Sequence, residues 1–373
     1  MSDGARRPRA VVLGPTAPGT SAEADAALRH GGKDLRDIAD ALLGEDADIV
    51  HLAWSADQTS DERNARLDAE LADATALVMT PWLLLLAGDP PVFDDERFAR
   101  FSQLLAITGT HDFRLGWIDL AAAAHRGVSV VDTSRTMTPT VAEFGVGITF
   151  ALLRDIPEAI DVVRGGGWLP PMDVTEHVFR DLGDCRVGLA GYGSINRHYR
   201  RFIRPYDCEV ATFDPLVDAA TLAADGVIQT SSLTALAEGS DIFVVAIPPT
   251  PSTIGVVDRE VIGSLAPGSL FVLLSRMAVV EQDALWERAR AGELRVGLDV
   301  FDPEPPPADA WFRTATNVLP TPHMAGNTRF AHERCFREAC REAARVWRGE
   351  TPLHGVEGRD KGFYDGSIDW VYG

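Results

Sequence analysis

The sequence predicts an α/β protein made of two domains, each an open, doubly wound parallel sheet. Three observations predict it. The chain has 373 residues, too many for one ordinary core. From Ala10 to about residue 301, short β-rich apolar runs alternate with longer amphipathic segments, the pattern of parallel strands covered by helices on both faces. Between the two sets of runs, "VGLAGYGSINRHYRRFIRPYDCEVATFDP", residues 187 to 215, passes from an apolar strand through two glycines into a helix-like segment.

Taken in order, "AVVLG", "DIVHLAW", "ALVMT", "LLAIT" and "VSVVDT" are the strands of a first, flavodoxin-like sheet. Helical spacing of apolar residues marks the segments between them, such as "DERNARLDAELADA" and "DLAAAAHRG". "LLLLAG" at 83 to 88 is too short to span a bilayer and reads as buried or interfacial. Next, "TMTPTVAEFGVGITFALLRDIPEAIDVVRGG" predicts a long helix capped by Thr138, with Pro139 in its first turn, Glu143 toward its positive end, and a kink or break at Pro157. A second, Rossmann-like sheet takes "RVGLAGYG", "EVATFD", "DIFVVAIP", "SLFVLLS" and "RVGLDVF". A late helix, "TRFAHERCFREACREAARVWRGE", and a Gly-rich aromatic tail with Phe363, Tyr364, Trp370 and Tyr372 complete the chain. The expected domains are residues 137–326, and residues 1–136 completed by 327–373.

Composition excludes several functional classes. With 55 acidic against 35 basic residues the formal net charge is −20, a field that repels phosphate backbones and anionic lipid, so neither nucleic acid nor membrane is an expected partner. The beginning of the chain reads as a first strand and not a secretory signal, and no stretch is expected to span a membrane. Cys185, Cys208, Cys335 and Cys340 show neither a C-x-x-C pair nor zinc spacing, which predicts a reduced cytoplasmic protein without a structural metal. His332 and His354 are expected at the surface.

The glycine turn predicts a dinucleotide site. Gly191 permits the tight turn, and Gly193 lets a pyrophosphate approach N–H groups at the start of the helix, with Ser194 and Ile195 in its first turn. Asn196 stands where a third glycine is usual; it is expected to disturb packing first, and its amide is in reach of a phosphate oxygen. Asp214 ends the next strand about 20 residues on, where a carboxylate accepts ribose hydroxyls and repels the extra phosphate of NADP, so the expected cofactor is NAD.

From about "LLAITGT" to "TPHMAG" the chain resembles the D-isomer-specific 2-hydroxyacid dehydrogenases. The resemblance rests on "DLAAAAHRGVSVVDTS", "TVAEFGVGITFALLR", "IPPTPSTIGVVDREVIGSLAPGSLFVLLSRMAVVEQDAL", "VGLDVFDPEP" and "NVLPTPHMAG", in that order. It implies NAD(H)-dependent interconversion of a 2-keto acid and a D-2-hydroxy acid in a cleft between the domains, and a homodimer formed through the cofactor domain. It implies Arg276, Glu304 and His323 as the catalytic residues. Their types suit the chemistry: imidazole donates a proton to the carbonyl oxygen, a neighbouring carboxylate favours the protonated ring, and a guanidinium holds the substrate carboxylate. The same matching places Asp299 at the nicotinamide carboxamide, Pro248 beside the adenosine, Ser275 among the cofactor-binding residues, and Gly109, Thr110, His111 and Arg114 in the substrate loop. Arg114 is the candidate for a distal phosphate, phosphonate or carboxylate.

Met277 departs from the glycine that usually follows the arginine, and "NRHYRRF" is bulkier than the usual start of this helix. Glu304 disfavours formate dehydrogenase, where the resemblance expects glutamine. No appended regulatory domain is expected after the late helix. Two other readings stay open: an NAD-responsive regulator on the same fold, and a dehydrogenase of another small anion such as phosphite.

Overall fold

The computed structural model describes residues 7–14, 29–30, 33–54, 58–81, 91–109, 117–168 and 180–356. Two compact units divide between Met137 and Thr138 and again between Asn327 and Thr328.

In the first unit, strands β1 (Arg9–Gly14), β2 (Asp48–Ala53), β3 (Ala76–Met79), β4 (Ala106–Gly109) and β5 (Ser129–Asp132) form a parallel sheet in the order β2-β1-β3-β4-β5. Helices α1 (Leu35–Leu43), α2 (Ser60–Leu71), α3 (Asp95–Phe98) and α4 (Leu120–His125) lie between them in the chain. Strand side chains alternate between faces. Val11, Leu13, Leu77, Met79 and Ile107 meet Trp54, Phe93 and Trp117 on one side, while Ala10, Val12, Ala76, Val78 and Ala106 meet Leu35, Leu43 and Phe336 on the other. Thr59 and Glu62 close a reciprocal capping box at the start of α2.

The second unit opens with α5 (Thr138–Leu153) and α6 (Ile156–Arg164). Its strands are β6 (Arg186–Ala190), β7 (Glu209–Phe213), β8 (Ile228–Gln229), β9 (Ile242–Val245), β10 (Ser269–Leu273), β11 (Leu294–Leu298) and β12 (Val318–Pro320), paired in parallel in the order β8-β7-β6-β9-β10-β11-β12. Helices α7 (Ser194–Ile203), α8 (Ala219–Ala224), α9 (Leu233–Glu238), α10 (Arg259–Ser264) and α11 (Gln282–Arg290) connect them. The two-residue β8 and three-residue β12 are too short to show a period in the sequence and were not anticipated. One face buries Phe243, Phe271, Leu273 and Leu298, the other Val187, Leu189, Val244 and Val272, each large side chain worth roughly 1.5–3 kcal/mol of transfer free energy. The order reverses at β6 and β9, so the turn after β6 opens at the sheet's switch point, where parallel sheets place ligands.

Three expectations change here. Thr138 is not a cap: a 3-10 turn, Thr133–Met137, runs directly into α5. The joined run Thr133–Leu153 is a 21-residue helix long and apolar enough, by length and composition, to cross a membrane, against the expectation that no stretch qualifies. Its apolar residues have another use, since Ala142, Ile148, Leu152 and Leu153 are buried in the second unit's core. The fit is close: a Cβ on Gly297 of β11 would lie 2.3 Å from Ile148 Cγ2. The break near Pro157 does occur, at Asp155, whose φ of 47° ends one helix and starts the next.

Helix α12 (Arg329–Trp347) belongs to the first unit and corrects the third expectation. His332 is only 3% exposed, because it shares the buried face of α12 with Cys335, Phe336, Ala339 and Cys340. His354 is half-buried, its side chain 21% exposed, and its backbone N–H donates to the fully buried Glu342 carboxylate at 3.2 Å. All four cysteines are buried. "LLLLAG" and the aromatic tail from Phe363 to Tyr372 lie outside the described residues.

Candidate active site

The carboxyl ends of the second unit's strands carry the site. After β6 the chain turns at Gly191, whose φ of +79° is one that L side chains rarely adopt; a Cβ there would also lie 3.2 Å from Ile247. Gly193 is the N-cap of α7, and a Cβ on it would meet nothing within 4 Å, so the approach to the helix's first N–H groups is open. Ser194 shares a 2.8 Å hydroxyl contact with Thr138 of α5, and Ile195 packs on the core.

Asn196 is fully buried, and its Nδ2 donates to the carbonyls of Ala190 at 3.2 Å and Gly191 at 2.6 Å. The amide therefore faces into the protein and staples the turn, correcting the expectation that it reaches a phosphate. Asp214 is half-buried and accepts from the backbone N–H of Tyr192 at 2.7 Å and of Leu216 at 2.9 Å, which fixes it beside the turn. Pro248 is exposed, and its carbonyl accepts from the Thr253 hydroxyl.

Arg276 follows β10 in extended backbone and donates from Nη1 to the Ser275 carbonyl at 2.8 Å. The Ser275 hydroxyl is buried with no partner among the described residues. After β11, Glu304 reaches His323 Nδ1 with Oε1 in a short hydrogen bond. Phe301 N–H approaches the other oxygen at 3.5 Å. Burial acts to raise the Glu304 pKa, but the hydrogen bond and charge of His323, with Phe301 N–H and Arg276, outweigh it and hold the carboxyl below its ordinary value. His323 is half-buried at a φ of 50°, and its Nε2 makes no hydrogen bond among the described residues. The structure thus brings Glu304 and His323 into contact, with Arg276 near enough to act on the carboxylate.

Asp299 plays a part that sequence reasoning missed. It is 2% exposed and accepts from Thr321 Oγ1 at 2.7 Å, Met324 N–H at 2.9 Å and Ala325 N–H at 2.7 Å. These bonds grip the chain on both sides of His323 and hold its left-handed backbone. These bonds give Asp299 a positioning role beneath His323. The available signal was an acidic residue ending the apolar "VGLDVF" strand, with Thr321 and His323 two residues apart.

Gly109 is buried at the end of β4 in the first unit. Thr110, His111 and Arg114 lie outside the described residues.

Residues 146–325 match the sequence model of the D-isomer specific 2-hydroxyacid dehydrogenase NAD-binding domain. This match places the second unit with that family's NAD-binding domain. A D-3-phosphoglycerate dehydrogenase of Methanocaldococcus jannaschii is 26% identical over 250 residues, which are 67% of this chain and 47% of that one. The chain thus spans about half the length of that relative. A glyoxylate reductase of Thermofilum pendens is 29% identical over 251 residues, 66% of this chain and 74% of its own. In structure, D-mandelate dehydrogenase of Rhodotorula graminis matches with a TM-score of 0.75 at 21% identity, over 94% of this chain and 98% of that one, which shows a shared fold.

The family's domain binds NAD, and the residues present fit it. The open N-terminus at Gly193 suits a pyrophosphate, Asp214 stands beside the turn for ribose hydroxyls, and the buried Ser275 hydroxyl offers an unused polar atom next to Arg276. Among the described residues no group of His, Cys, Asp and Glu is arranged to hold a metal ion.

Proposed function

We propose that the chain catalyses reversible, NAD(H)-dependent reduction of a 2-keto acid to a D-2-hydroxy acid. The observation that carries this reading is the Glu304–His323 pair, with Nε2 left to face a reacting oxygen and Arg276 close by. Bound NADH supplies hydride. The protein's residues handle the charge and proton that follow: Arg276 holds the substrate carboxylate and polarises the keto oxygen, and His323 donates a proton from Nε2 as negative charge develops there. Glu304, ionised, keeps the proton on Nδ1 and stabilises the imidazolium before transfer. In the oxidative direction the same ring is the base.

The assembly we propose is a homodimer formed through the second unit. Helix α6 supports it, since this amphipathic helix has no buried residue and leaves Ile156, Ile160 and Val163 exposed by 41–54%, with Trp168 beyond it at 81%. The burial of all four cysteines, with neither a C-x-x-C pair nor zinc spacing, supports a reducing, cytoplasmic setting.

The test is spectrophotometric NADH oxidation against a panel of 2-keto acids, with phosphorylated and phosphonate members to probe Arg114, and phosphite and formate assayed with NAD. Turnover of one 2-keto acid class is the expected result. NADH binding with no turnover of any member would instead identify a cofactor-responsive regulator, and turnover of phosphite alone would move the reaction to that anion.

A further inference from the structure

Helix α7 carries a feature that the dehydrogenase reading leaves unused. Within eight residues it and the turn after it place Arg197, Arg200, Arg201 and Arg204, with His198, on the wall of a cleft of about 440 Å³. Tyr192 and Asp225 line it as well, and the Tyr192 hydroxyl donates to Asp225 at 2.9 Å.

This concentration of positive charge contradicts the rest of the molecule, which has a net charge of −20. Elsewhere arginines hold carboxylates: Arg97 with Asp68, Arg180 with Asp241, Arg259 with Glu281, Arg345 with Glu342. None of the four cleft arginines has a carboxylate within 4.0 Å among the described residues. Arg197 donates from Nε to the Tyr192 carbonyl at 3.0 Å and lies over that ring, and the Nε of Arg200 is buried with no acceptor among the described residues. Burial and the neighbouring Arg201 hold His198 below its ordinary pKa, so the cleft's charge comes from the guanidiniums. Four guanidiniums gathered around the single lining carboxylate of Asp225, which is engaged with the Tyr192 hydroxyl, repel one another, and a multivalent anion relieves that repulsion.

We propose that this cleft binds a phosphate-bearing small molecule. A phosphate ester or pyrophosphate fits because it offers several oxygens to forked guanidiniums at once, and the row from Arg197 to Arg204 runs about 10 Å along the helix, matching more than one phosphoryl group. The phosphate has two possible sources. The cleft begins at Tyr192, whose N–H holds Asp214, so it opens beside the expected ribose position. A 2′-phosphate on the dinucleotide would enter from that end, whereas a free phosphorylated metabolite would occupy the cleft independently.

The experiment is calorimetric titration of the full chain with pyrophosphate, NADP+ and NAD+. It compares wild type with an Arg201→Gln/Arg204→Gln double variant and an Arg197→Gln variant, with thermal melts confirming that each is folded. Pyrophosphate should bind wild type and weaken by at least about tenfold in the double variant, with NAD+ affinity unchanged. If pyrophosphate displaces NADP+ but not NAD+, and Arg197→Gln weakens NADP+ alone, the phosphate belongs to the dinucleotide. If pyrophosphate and NADP+ bind together, the occupant is a free phosphorylated molecule. The proposal fails if wild type binds neither pyrophosphate nor NADP+, or if folded variants bind both as tightly as wild type.

Discussion

Two regions at the carboxyl edge of the same sheet use carboxylates in opposite ways. In the glycine turn, Asp214 spends both oxygens on backbone N–H groups and the Asn196 amide closes onto two carbonyls, so polar side chains there set the path of the backbone. In the loops after β11 and β12 the work is divided. Asp299 fixes the backbone around His323, which leaves Glu304 to act on the imidazole itself. A carboxylate committed to backbone N–H groups holds shape, and one aimed at an imidazole orients the ring.

The largest effect expected from breaking this contrast lies on the catalytic side. On the proposed reading, Arg276→Ala removes the charge assigned to the substrate carboxylate and keto oxygen, and should lower kcat/KM by roughly 10²–10³-fold with little change in NADH affinity. On the shape-holding side, Asp299→Ala strips two backbone N–H groups and the Thr321 hydroxyl of their buried acceptor. It should cost about 2–4 kcal/mol in urea unfolding, with activity falling in the fraction that remains folded.

Glu304→Gln sharpens the comparison through pH. The Glu304 carboxyl is held below its ordinary value in the folded protein, so its stabilisation is complete above the unfolded value near about pH 4.3 and is lost as pH falls through the lower folded value. The variant should therefore lose about 1 kcal/mol or less near neutrality, and that difference from wild type should shrink in acid denaturation below about pH 4. The smallest effect belongs to Asn196→Ala, which removes the turn's staple. Stability should fall by about 1 kcal/mol, and NAD+ affinity should change by less than about threefold, because the amide faces away from the ligand side.

Much of this was legible in the sequence. The long apolar runs announced both sheets, because a strand buried on two faces must be apolar throughout, and Gly191, Gly193 and Asp214 announced the turn by spacing alone. The contact between Glu304 and His323 joins residues far apart in the chain; the family resemblance implied it where periodicity had nothing to say. The inward aim of Asn196, the grip of Asp299 and the burial of His332 depend on which way one side chain points once the backbone is folded, and residue type does not encode that. Helix α5 shows the converse, since its composition permits a membrane span while Gly297 and Ile148 reveal a close fit to a sheet.

The central claim is that His323, held by Glu304, moves the proton. Its most direct test compares His323→Ala with wild type in two measurements on the same preparations: NADH binding by fluorescence titration, and kcat/KM for the best 2-keto acid of the panel. Unchanged NADH binding with turnover reduced by roughly 10²–10⁴-fold is the predicted result. Turnover within a few-fold of wild type would contradict it, and the proton donor would have to be sought elsewhere in the protein.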